Sequence, residues 1–80
     1  MYKVVLDTGY ERIEAEDENL LAAFNSLKID NPKTTRSVIS VTKGDKTITK
    51  IFNMKITRLF ARNPITRSIW SKLIEQGFNG

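Results

Sequence analysis

Residues 37–52 read SVISVTKGDKTITKIF, and this stretch decides the fold class. Ser37, Ile39, Val41 and Lys43 alternate with Val38, Ser40 and Thr42, the two-residue period of a strand. Residues 47–52 form a second run rich in β-branched side chains, which suit a pleated surface. Between the runs, Gly44 and Asp45 follow Lys43 and precede Lys46. Glycine takes positive φ without steric cost, so Gly44 fits the first central position of a tight turn. The middle of the chain is therefore a β-hairpin.

Towards the N-terminus the same logic gives another hairpin. Tyr2, Val4 and Leu6 alternate with Lys3, Val5 and Asp7. Asp7, Thr8, Gly9 and Tyr10 have turn chemistry, because aspartate bonds forward to the backbone and glycine tolerates positive φ. Residues 10–15 return as a strand with Glu11, Ile13 and Ala15 on one face. A helix is expected over 17–28. Asp17 serves as its N-cap, Glu18 lies in the first turn, and Lys28 lies near its end. Leu20, Ala23, Phe24 and Leu27 give it one apolar stripe. Asn31 and Pro32 stop it, and a polar loop is expected over 32–36.

Towards the C-terminus, residues 53–62 admit two readings. As a strand they place Arg58 on the apolar face. As a helix they gather Phe52, Ile56, Leu59 and Phe60 on one arc and Lys55, Arg58 and Arg62 on the opposite one. The helical reading separates apolar from basic residues and is favoured; a long fourth strand is the alternative. Residues 64–76 form a second C-terminal helix, with Asn63 as cap and Pro64 at the first helical position. Ile65, Ile69, Trp70, Leu73 and Ile74 are its expected apolar face; Arg67, Ser68, Ser71, Lys72 and Glu75 are its wet face. Gly77 is expected to end it with positive φ, and Phe78 to fold back onto the last turn.

The chain is thus one small α+β domain spanning 1–80: hairpin, helix, hairpin, then one or two C-terminal helices. The hairpins join in a mostly antiparallel sheet of about four strands, with the helices on one face, since each helix has an apolar stripe to bury. The other sheet face or an edge strand is available for self-association. A chain of this length buries only about 60–65% of the surface its unfolded form exposes, so its core is small.

Charge is divided along the chain. Residues 1–31 carry seven acids (Asp7, Glu11, Glu14, Glu16, Asp17, Glu18, Asp30) against three bases (Lys3, Arg12, Lys28). Residues 32–80 carry ten bases against Asp45 and Glu75 alone, and residues 46–72 contain seven bases and no acid. Such a split bears on partners rather than on fold. Lys55, Arg58 and Arg62 make a cationic stripe on one expected helix, Arg67 and Lys72 add to it from the next, and Lys50 precedes them. Two short helices joined by a bend can present one polar face to a phosphate backbone, and the planar arginine fork matches phosphate oxygens. The plainer readings are a solvated helix face, or a basic half that answers the acidic half within one molecule or across a dimer.

Other chemistries are poorly served. There is no cysteine, hence no disulfide or thiolate site, and no histidine, hence no imidazole ligand or ordinary general base near neutral pH. Ser26, Ser37, Ser40, Ser68 and Ser71 therefore have no base to activate them. Glu14, Glu16, Asp17 and Glu18 lack the spacing and glycine of a calcium loop and read as strand-end and helix-cap residues. Trp70, Phe60 and Met54 sit at helical spacing among aliphatic residues and read as core. No catalytic residue, metal or cofactor is expected. The N-terminal apolar run is too short for a signal peptide, and no stretch approaches the roughly 20 apolar residues of a membrane span. A cytoplasmic protein with no membrane partner is expected.

The stretch 47–57, TITKIFNMKIT, is rich in Lys, Ile, Asn and Thr. In this composition the chain resembles the short proteins encoded by phages and mobile elements of low-GC Gram-positive bacteria. The resemblance implies nucleic-acid binding, inhibition of a host protein or a small virion component, acting in the host cytoplasm, and it implies no site residues. The expected function is a non-enzymatic nucleic-acid-binding or regulatory protein using Lys50, Lys55, Arg58, Arg62, Arg67 and Lys72. The alternative is a protein-interaction module, as a host-factor inhibitor or structural component, possible also as a homodimer.

Overall fold

The computed structural model describes residues 1–29 and 36–79. Seven elements follow in order: β1 (Tyr2–Asp7), β2 (Arg12–Asp17), α1 (Leu20–Ser26), β3 (Arg36–Lys43), β4 (Lys46–Asn53), α2 (Met54–Arg62) and α3 (Pro64–Asn79). The fold is α+β, with one antiparallel sheet in the order β2-β1-β3-β4. The two hairpins join through β1 and β3, where Val4 faces Val41 and Leu6 faces Ile39. The expected helix stop at Asn31 and Pro32, and the expected polar loop up to Arg36, lie outside the described residues.

Both turns form as their residues dictate. Gly9 and Gly44 hold positive φ, at 85° and 64°. Asp7 Oδ1 accepts the Gly9 N–H at 2.8 Å, and the Thr8 hydroxyl oxygen accepts the Glu11 N–H at 3.1 Å.

Two-residue alternation sorts the sheet into two faces. Tyr2, Val4, Leu6, Ile39, Val41 and Phe52 are buried on one face with the buried hydroxyl of Ser37. All three helices pack on that side. Leu20, Ala23 and Phe24 of α1, Phe60 of α2 and Ile74 of α3 complete the core. Aromatic rings tie the layers together: Phe60 meets Phe24 at 5.1 Å and Phe52 at 5.5 Å, and Phe52 meets Trp70 at 4.8 Å. The other face carries Lys3, Val5, Asp7, Arg12, Glu14, Glu16, Ser40, Thr42, Thr47, Thr49 and Ile51 in cross-strand rows, and among the described residues no helix covers it. Polar groups also pair inside. The Thr57 hydroxyl donates to the Asn53 carbonyl at 2.9 Å, which leaves the Ser37 hydroxyl to donate to Thr57 Oγ1 at 2.8 Å.

Several local expectations need correction. The second strand lies at 12–17 rather than 10–15, because the first turn uses Thr8 to Glu11 and the ladder then runs on until Asp17 pairs with Tyr2. Asp17 is consequently a strand residue, and α1 starts later. Asn19 caps it by accepting the Ala22 N–H at 3.0 Å, and Asp17 supports the cap by accepting the Asn19 N–H at 2.9 Å. The helix ends at Ser26, since Leu27 turns extended and buries its side chain.

The remaining corrections concern α3. It is rotated from the expected face: Ser71 is 3% exposed, whereas Ile65 is 68%, Ile69 54% and Leu73 49% exposed. The sequence offers two apolar stripes, and the one with the large rings of Trp70 and Phe78, together with Ile74, packs inward. The helix also runs through Gly77, whose φ is not positive. Gly77 is instead a point of close approach, where an added Cβ would sit 2.6 Å from Ile48 Cδ1 of β4. Phe78, continuing the helix, packs edge-on against Tyr2 at 5.6 Å.

Candidate nucleic-acid interface

The basic stripe forms on α2. Residues 53–62 are helical from Met54, because the Asn53 side chain accepts the Ile56 N–H at 2.8 Å and so fixes the first turn. Phe60 and Thr57 then point into the core. Lys55, Arg58 and Arg62, at spacings of three and four, fall within about 60° of arc on the opposite side and extend about 10 Å along the axis. All three are exposed. Among the described residues no carboxylate pairs with them. Leu59, expected on the apolar arc, is 41% exposed at the border of this stripe. Thr57 takes its place inside, through its two hydrogen bonds.

The other three candidates stand apart. Lys50 is exposed on edge strand β4, on the same sheet face as Ile48 and Phe52. Lys72 is exposed on α3, near the outward Ile69 and Leu73. Arg67 is half-buried and turned inward. Its Nη1 donates to the Phe60 carbonyl at 2.9 Å and the Ala61 carbonyl at 3.2 Å, and its Nε donates to Asn25 Oδ1 at 2.8 Å. The last carbonyls of a helix have no partner within it, and a cation there also meets the negative end of the dipole. Arg67 therefore closes the C-terminus of α2 and ties it to α1. With Nε and Nη1 held inside the molecule, Arg67 does not join the stripe, and the shared surface comprises Lys55, Arg58 and Arg62.

The surface offers positive charge and hydrogen-bond donors over one helix face. Among the described residues no group of three or more carboxylates is placed to hold a metal ion, and no helix is long and apolar enough to cross a membrane. The sequence reading missed the outward stripe of Ile65, Ile69 and Leu73. Its signal was present in the four-residue spacing of these residues on a helix that also carries Trp70, Ile74 and Phe78. No family model matches the chain, and no curated protein or solved structure matches it either.

Proposed function

We propose that the chain is a non-enzymatic nucleic-acid-binding protein that holds a phosphate backbone against the outer face of α2. The observation that carries this reading is the single exposed stripe of Lys55, Arg58 and Arg62. These groups contact phosphate rather than base edges, so binding is largely independent of sequence. Lys50 and Lys72, elsewhere on the surface, add to the net positive charge that attracts a polyanion. Arg67 acts as a positioning residue that orients α2.

Titration of a labelled duplex at several salt concentrations tests the reading. Three phosphate contacts give a slope of about −2.7 for log affinity against log salt. An affinity that does not change with salt overturns it. A protein-interaction module is the second reading, favoured by Ile65, Ile69 and Leu73. A helix apolar on both faces is usually covered on both, and a contiguous exposed apolar stripe is a common partner surface. A protein partner co-purifying with a preparation free of nucleic acid favours this second reading.

A further inference from the structure

The two free edges of the sheet carry opposite charge. β2 holds Glu14, Glu16 and Asp17 against Arg12, while β4 holds Lys46 and Lys50 and no acid. Among the described residues neither strand has a second strand beside it.

The backbones of the two edges also match. β1 is antiparallel to β2 and β3, and β3 is antiparallel to β4, so β2 and β4 point in opposite directions. A second copy in the same orientation sets its β2 antiparallel to the first copy's β4, with every helix on one side. Hydrogen-bond parity agrees. The two-residue loop makes Lys43 and Lys46 a hydrogen-bonded pair, and alternation then leaves Thr47, Thr49 and Ile51 with outward N–H and C=O groups. In β2, the bond from the Thr8 N–H to the Glu11 carbonyl starts the same alternation and leaves Arg12, Glu14 and Glu16 outward. Both outward sets have their side chains on the uncovered face, so the edges meet with inner face beside inner face.

We infer that copies of this chain associate head to tail, β2 on β4, into one continuous antiparallel sheet. In the register that prolongs the existing rows, Asp17 faces Lys46, Glu14 faces Thr49, and Ala15 faces Ile48 on the inner side. Ile51, 66% exposed, gains the stem of Arg12 as a neighbour. Like edges are disfavoured, because β4 on β4 brings Lys46 to Lys50 and β2 on β2 brings Glu14 to Glu16. The contact is heterologous and adds copies until a ring closes. The 6 residues of β2 make a small interface, so the association is weak and depends on concentration.

Sedimentation of the full chain over a concentration series, at about 0.05 M and about 0.5 M salt, tests this. At low salt the average mass should climb past two 9.2 kDa protomers, and high salt should lower it. Thr49→Pro removes an outward N–H and leaves the internal ladder intact, so it should hold the mass at one protomer. The variants E14K/E16K and T49E/K50E should each be monomeric alone and associate when mixed, since the charges introduced at positions 14 and 49 are opposite in sign and face each other across the contact. A single-protomer mass at every concentration overturns the inference. So does a dimer that saturates, or a mixture of the two variants that stays monomeric. The mixing experiment decides the matter even where Thr49→Pro perturbs folding.

Discussion

The Arg67 guanidinium joins three places that lie far apart in the chain: the end of α2, the end of α1 and its own helix. Its partners are two backbone carbonyls and the side chain of Asn25, 42 residues away. Replacing it by alanine strands both carbonyls. Removing a charged hydrogen-bond partner costs about 1.5–3 kcal/mol. For a domain of this size each kcal/mol is about 4–8 °C in Tm. Arg67→Ala should therefore melt well below the wild type in a thermal scan, and Arg67→Lys should recover only part of the loss, since an ammonium lacks the fork. Nothing in the local sequence marks this residue. A basic side chain one turn into a helix reads as a surface cation, and its role follows only from where α1 and α2 end.

At the scale of the element, α2 shows how far periodicity carries. Its existence and its cationic stripe follow from spacing, because Lys55, Arg58 and Arg62 can share a face only at the helical period. Its inner face was less legible: Thr57 replaces Leu59 because a buried hydroxyl partner, Ser37, waits on β3. The same holds for α3, where two stripes compete and ring size decides between them. The α1 boundary moved because pairing with Tyr2 claims Asp17 for the sheet, a tertiary preference that outweighs local capping. The start of α2 rests on Asn53. Asn53→Ala removes the acceptor for the Ile56 N–H and should cost about 1 kcal/mol, measured as a lower urea midpoint with an unchanged m value.

Across the whole molecule, the charge split becomes a spatial one. Acids collect on the β2 edge, and the bases of 46–72 other than the inward-turned Arg67 lie exposed on β4 and the helices. The fold class and the hairpins were readable from alternation and turn residues. The order β2-β1-β3-β4 was not, because the pairing of β1 with β3 joins residues 3–7 to 38–42 across a long stretch of chain. Binding and stability should separate cleanly at this scale. Lys55, Arg58 and Arg62 are exposed on the side of α2 away from Thr57 and Phe60, so R58E/R62E should abolish oligonucleotide binding while its Tm stays within about 4 °C of the wild type, a surface change worth about 0.5 kcal/mol. Loss of the cooperative melt in that variant counts against a purely external role.

Tyr2 and Phe78 meet ring to edge, so residues from opposite ends of the numbering share one pole of the domain. A nascent chain makes both hairpins and α1 well before it makes Trp70, Ile74 and Phe78. Until those three emerge, much of the inner sheet surface stays wet and its strands pair without a lid. Folding on the ribosome accordingly waits for α3, and a chain stalled before Trp70 presents a half-covered sheet to whatever quality-control machinery meets it.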